Sequence, residues 1–319
     1  MIRNLGKPIV KKENFFFEKN KQKTFVSAIA GSINKSFLVL FVKKGLLPCL
    51  ALTACAAPVV KTAGVTPVVQ LPRSHGPMVI DPHVPPFASG AWEPFSRADA
   101  VAIALREWRL FGQPVDDDPP DTRPIPPPEQ KPERQAGLWE RVGEYWWIGQ
   151  APSEREAAWT GIHDADGTLF DPRRDGEFAW SAAFISYIMR IAGAGPDFPY
   201  SPNHSTYINA AVRGTSPVLS ALAPQSYAPA LGDLICTGRG LAERLRFGNL
   251  PTQGMFPSHC DIVVQIAPGL LSVVGGNVDD AVTMKHVPVT AQGRLASPDG
   301  RVVDTRYPWL VVLRVGYQR

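Results

Sequence analysis

Charge is scarce in this chain, with Asp, Glu, Lys and Arg at 19% of 319 residues, and no basic face with interleaved aromatics occurs along it. That argues against a nucleic-acid partner. There is no Gly-rich phosphate loop. Cysteine and histidine are few, 4 and 6, and neither a CxxC pair nor a second histidine close to the first suggests a metal site, so no cofactor is expected. No segment repeats. No apolar run is long enough to cross a bilayer: Gly45 to Ala54 is too short, and residues 25–41 are broken by Asn34, Lys35 and Ser36.

Proline is in excess, at 32 residues, which implies long irregular segments in an otherwise globular composition. The net charge of +4 conceals an asymmetry. The first 55 residues carry a balance of +8 and leave the remainder at −4, so the body of the protein is mildly acidic.

The stretch "VKKGLLPCLALTACAAP", Val42 to Pro58, has Lys43 and Lys44, then a short apolar run, then Leu52-Thr53-Ala54-Cys55. This order resembles a bacterial lipoprotein signal, with Cys55 as the lipidated residue and new N-terminus. Read from Val42 the signal is ordinary, so residues 1–41 are expected to be an over-extended start. Ala56 stands where aspartate would signal inner-membrane retention. The resemblance therefore implies an outer-membrane lipoprotein facing the periplasm, held by a lipid anchor. Residues 56–94, rich in Pro, Val, Ala and Gly without periodicity, read as a flexible tether.

A single domain is expected over 95–319. "FSRADAVAIALREWRLFG" starts a helix, with Ser96 and Asp99 at capping-box spacing and Val101, Leu105 and Trp108 on one face. The proline-rich stretch 113–133 is expected to be a surface loop. Further helices are expected over "GLWERVGEYWWIG", over "EFAWSAAFISYIMR" and over "HSTYINAAVRG". Short strands follow at 232–238, 260–267, 270–276, 281–289 and 309–316, with Pro268-Gly269 as a tight hairpin turn. Helices first and strands second favour an α+β fold, N-terminal helices packed on a small antiparallel sheet, over a Rossmann-like one.

Three polar residues follow one another along these elements: Ser181 at a helix start, His259 at a strand start and Asn277 after the next strand, with "LGDLICTG" between the first two. The order resembles the papain-like NlpC and CHAP cell-wall hydrolases, where a cysteine opens a buried helix, a histidine begins a strand and a polar residue orients the imidazole. Asp233 matches their strand-opening, structural aspartate. "WSAAFISYIMRIAGAG", "SPNHSTYINAA", "GDLICTGR", "HCDIVV" and "GGNV" together resemble a proteobacterial domain-of-unknown-function family of the same clan. Two positions depart from the pattern: Ser181 replaces the cysteine, and Gly275 stands where CHAP proteins often carry glutamate.

The resemblance implies acyl transfer on peptidoglycan stem peptides or amide links, with Ser181 as nucleophile, His259 as its base and Asn277 holding the tautomer. A serine at a helix start is equally a helix cap or a small packing residue. Asn277 beside two glycines is equally a turn residue. His204 either caps its helix or lines the cleft. A non-catalytic wall-binding or envelope-assembly module, or a purely structural envelope lipoprotein, are the rival readings. Cys49 falls in the signal, which leaves Cys236 and Cys260. These end one predicted strand and begin the next; if the two strands are antiparallel neighbours their ends coincide, and a disulfide between them is geometrically reasonable in an oxidising compartment.

Overall fold

The computed structural model describes residues 94–319 apart from positions 121, 125, 151 and 152. The expectations for Cys49, Cys55, the signal and the tether lie outside the described residues. The described chain is α+β. Four α-helices come first: α1 (Arg97–Leu110), α2 (Leu138–Gly149), α3 (Ser181–Ile191) and α4 (His204–Arg213). Six strands follow: β1 (Leu219–Leu222), β2 (Leu234–Gly238), β3 (Ser258–Ala267), β4 (Leu270–Val278), β5 (Ala281–Pro288) and β6 (Trp309–Val315). They form one sheet in the order β1-β6-β2-β3-β4-β5, with every neighbouring pair antiparallel. No described helix is long and apolar enough to cross a membrane.

Alternation along the strands sorts their side chains onto two faces. Leu234, Cys236, Cys260, Ile262, Val274, Val311 and Leu313 join the helices in the main core. Ile235, Val263, Val273, Val287 and Val312 face the other way and are buried under Leu295, Trp309 and partly Tyr307. The sheet is therefore covered on both faces, which is why its strands read as nearly continuous apolar runs. The matched Asp233 is structural. Its carboxylate accepts from the backbone N–H of Ala230 at 2.9 Å and of Val315 at 3.0 Å, tying the entry of β2 to the end of β6.

Helix α1 starts as its sequence indicates, with the Ser96 hydroxyl accepting from the Asp99 N–H at 3.2 Å. Its buried face is Ala100, Ile103, Ala104 and Glu107, not the Val101–Leu105–Trp108 stripe, whose members are half-buried. A charged residue in the buried face hides the helical period. The proline-rich stretch is also more than a surface loop. The Asp116 N–H donates to the Met284 carbonyl at 2.9 Å, and the Met284 N–H donates to the Pro114 carbonyl at 3.0 Å. The stretch thus covers the open edge of β5, the exposed donors and acceptors of which would otherwise be a template for another strand. Asp116, Lys131 and Glu133 are buried as a result.

Cys236 and Cys260 form a disulfide. They are directly opposed in the β2–β3 register, with Cα atoms 4.1 Å apart. Both belong to the main core, and the bond closes a loop of sequence separation 24. Opening it by Cys236→Ala with Cys260→Ala is expected to cost about 2–4 kcal/mol, chiefly by freeing the unfolded chain. Denaturant melts of the oxidised protein and the double variant measure this, and equal midpoints would contradict it.

Candidate functional site

Helix α3 is buried along nearly its whole length, from Ser181 through Arg190. Gly149 of α2 makes this possible. A Cβ there would lie 2.3 Å from the Ala183 carbonyl oxygen, so only glycine lets the two helices pack so closely. Ser181 is the first residue of α3 and only 7% exposed. It does not cap the helix: the N-cap is Trp180, and no side chain caps the end. The Ser181 hydroxyl instead lies 2.8 Å from Nε2 of His204.

His204 opens α4, whose N-cap is Asn203, again without a side-chain cap. The ring of His204 is 3% exposed, and its Nδ1 has no hydrogen-bond partner. Burial and the neighbouring His259 hold its pKa well below the usual imidazole value. It is therefore neutral near pH 7, the state in which a ring nitrogen can accept a proton.

The expected partner, His259, does not hydrogen-bond Ser181. By alternation His259, Asp261 and Val263 share one face of β3, and Val263 belongs to the cluster turned away from the helices. The two histidines still meet edge to face at the strand end, with ring centroids 5.4 Å apart. His204 thus stands between Ser181 and the residue that sequence order offered as its base. Nothing local in "SPNHSTY" signals this, because the contact depends on where α4 docks.

Asn277 is not the orienting residue either. It lies inside β4 in a left-handed backbone conformation, φ 55°, at the irregularity of the β4–β5 pairing between Gly275 and Val278. Nε2 of His259 is held by Asp261 Oδ1 at 3.1 Å. Asp261 Oδ2 lies 2.7 Å from Lys285 Nζ, and all three side chains are buried. The Lys285 ammonium also sits 4.9 Å from the ring centre of Tyr307. Burial opposes charge on Asp261, but Lys285 and His259 overcome it and hold the carboxyl far below the usual carboxylate range. The spacing His259-x-Asp261 within one strand was the available signal, since alternate residues share a face.

Gly275 leaves room for the Asp261 carboxylate. A Cβ at Gly275 would lie 2.1 Å from Asp261 Oδ1 and 2.8 Å from His259 Nε2. The space that a side chain at position 275 would take is filled by Asp261. Gly276, on the opposite face, lets β4 approach α3, because a Cβ there would lie 2.6 Å from Cβ of Phe184.

Residues 133–315 match a family described as "Uncharacterized protein conserved in bacteria (DUF2272)". The chain belongs to DUF2272. No curated protein and no solved structure matches it. The DUF2272 segment contains Ser181, His204, His259, Asp261 and Lys285, and it begins at Glu133. Helix α1 lies before it. Among the described residues no group of three or more His, Cys, Asp or Glu is placed to hold a metal ion.

Glu133 itself touches the site through Trp180, whose indole N–H donates to Oε2 at 2.7 Å. Its other oxygen, Oε1, is buried without a partner. Lys131, beside it, pairs with Asp175 and with Asp280, the latter at 3.0 Å. Burial, reinforced by Asp280, pushes the Glu133 carboxyl up to about 8. A carboxyl whose folded pKa exceeds its unfolded one contributes stability that is full below about pH 4.5 and lost as pH rises through about 8. The depressed histidines act oppositely, but only below about pH 6.5. Stability is therefore expected to fall between about pH 6.5 and 9 in the wild type and to fall less in Glu133→Gln. Urea midpoints across that range measure it, and identical slopes would refute it.

Proposed function

We propose that this DUF2272 protein is an acyl-transfer hydrolase with Ser181 as nucleophile and His204 as its immediate base. The observation that carries the reading is the 2.8 Å contact between the Ser181 hydroxyl and a buried imidazole that is neutral near pH 7. His204 Nε2 takes the hydroxyl proton as Ser181 Oγ attacks a carbonyl carbon and gives that proton to the leaving nitrogen. Water, losing a proton to the same nitrogen, then attacks the acyl-serine; the acyl group leaves as the free acid and Oγ regains its proton. The free N–H groups of the first turn of α3 would stabilise the oxyanion, because a helix N-terminus favours negative charge. A nucleophile at a helix start with a second, strand-borne histidine beside its base is in keeping with a papain-like, NlpC/CHAP-type arrangement, although the base itself is helix-borne. The resemblance in residue order makes cell-wall peptide or amide bonds the proposed substrate.

The lipobox-like Leu52-Thr53-Ala54-Cys55 supports an outer-membrane lipoprotein acting in the periplasm. A fatty-acid label should then mark the wild type and spare Cys55→Ser, and equal labelling would exclude the anchor. For the reaction, purified protein incubated with cell-wall fragments is expected to release products with new amino and carboxyl ends, read by mass spectrometry. Unchanged fragments would remove the hydrolase reading.

A second reading is a catalytically inactive wall-binding or assembly module. Two observations favour it. Ser181 is almost fully covered, and the His204 tautomer that accepts from Ser181 carries its other proton on Nδ1, which has no acceptor. A triad would place an orienting group there.

A further inference from the structure

The Ser181–His204 pair leaves a second imidazole of the same site unassigned. His259 is 4% exposed and is surrounded by charged and titratable groups from several elements. Asp261 lies on its own strand, Lys285 on β5, Arg239 beyond the end of β2 and His204 on α4; all are felt at one or both imidazoles. An ionised carboxylate only accepts hydrogen bonds, so the proton on the neutral His259 ring must sit on Nε2, facing Asp261 Oδ1 at 3.1 Å. Nδ1 then keeps a bare lone pair, and it is buried without a hydrogen-bond partner. An acceptor left so costs free energy unless something meets it. Lys285 secures the arrangement from the far side, at 2.7 Å from Asp261 Oδ2, and Gly275 leaves the room it needs.

We propose that Asp261 and Lys285 are positioning residues that lock His259 in its Nε2–H tautomer, making Nδ1 a second proton-accepting atom of the site beside His204. The use of that atom in turnover rests on the acyl-transfer reading; the tautomer and its cause do not. The site thus carries two imidazoles with divided tasks. One touches the nucleophile, and the other offers a lone pair fixed by a buried carboxylate and ammonium.

Nitrogen-15 NMR of the histidine-labelled wild-type protein tests this without turnover. Nε2 of His259 is expected to be protonated and Nδ1 bare at neutral pH. Asp261→Asn removes the charge that favours imidazolium, so the protonation of His259 should move about one unit or more to lower pH. Lys285→Met removes the opposing charge, so the His259–Asp261 pair should take up its proton at higher pH. Lys285→Arg should stay near the wild type in tautomer. Any nearby charges would move the imidazole in these two directions, so it is the tautomer that separates a positioning role from a merely structural one. A protonated Nδ1 in the wild type overturns the proposal whether or not the variants fold, as do shifts of the same sign in both. If wall fragments are hydrolysed, the acid limb of kcat/KM should follow the same two directions. Absence of hydrolysis would count against the function proposed above and leave the tautomer result standing.

Discussion

Ser181→Ala should abolish turnover while leaving the fold intact. Serine and alanine differ by one oxygen, and the site at the head of α3 is buried and already flanked by Ala182 and Ala183. The loss expected for a nucleophile that works as one unit with its base is on the order of 10⁴- to 10⁶-fold in kcat. His204→Ala should cost a similar factor and the Ser181–His204 double variant little more, because either change alone disables the pair. His259→Ala should cost less than His204→Ala, since His259 does not contact the hydroxyl. Ser181→Cys separates the two readings of function. A thiol at a helix start beside a neutral imidazole is more easily ionised than a hydroxyl, so it restores the nucleophile of the papain-like pattern. Wild type inactive on wall fragments with Ser181→Cys active would identify an inactive module with a preserved site. Ser181→Ala as active as the wild type would eliminate the nucleophile.

Glu107→Ala should be the most damaging substitution to stability. Glu107 lies on α1 and is fully buried. Its carboxylate accepts from Arg141 Nε at 2.6 Å, from the Tyr145 hydroxyl at 2.7 Å and from Arg106 Nη2 at 2.7 Å. Arg141 also packs against the rings of Tyr145 and Tyr187. Burial opposes the charge on Glu107, yet Arg141 and Tyr145 overcome it and hold the carboxyl below its ordinary pKa. Removing Glu107 leaves a buried tyrosine hydroxyl without its acceptor and the mostly covered Arg141 guanidinium with only the half-exposed Glu144 and the Tyr187 hydroxyl. Breaking a buried pair in this way costs about 3–5 kcal/mol. Arg106 contributes little to that figure because it is half exposed and screened by solvent. Replacing both partners, Glu107→Leu with Arg141→Met, should recover part of the loss, because no charge is then stranded. Guanidinium melts measure both effects. A Glu107→Ala midpoint close to the wild type would show that the network carries no net stability.

Glu107 also shows where sequence patterns mislead. A helix face is recognised by apolar residues at three- and four-residue spacing, and Glu107 sits in the buried face of α1 only because Arg106, Arg141, Tyr145 and Tyr187 converge on it from three helices. The Val101–Leu105–Trp108 stripe is apolar and still half-buried for the same reason. The proline-rich stretch was similarly deceptive. Its composition excludes an α-helix, and among its described residues it holds only short 3-10 turns at Pro128–Gln130 and Pro132–Arg134, but Lys131 and Glu133 become buried through partners as far along the chain as Asp280.

The sequence by itself determined much of the framework. Apolar periodicity and turn chemistry are local, so the α+β order, the buried helix beginning at Ser181, the Pro268-Gly269 hairpin and most strand positions could be read directly. The disulfide was legible on the condition that the two strands are antiparallel neighbours, and β2 and β3 are. The chemistry of the site was legible only as a set of residue types in a familiar order. Which histidine meets Ser181 was decided by the docking of α4 and by the face of β3 on which His259 falls. Asp261 replaces Asn277 as the orienting group, and Gly275, on the adjacent strand, leaves room for its carboxylate. Hydrogen bonds act over about 3 Å, so a change of face or of docking redirects every one of them. Local patterns place the elements, and only their packing decides which side chains touch.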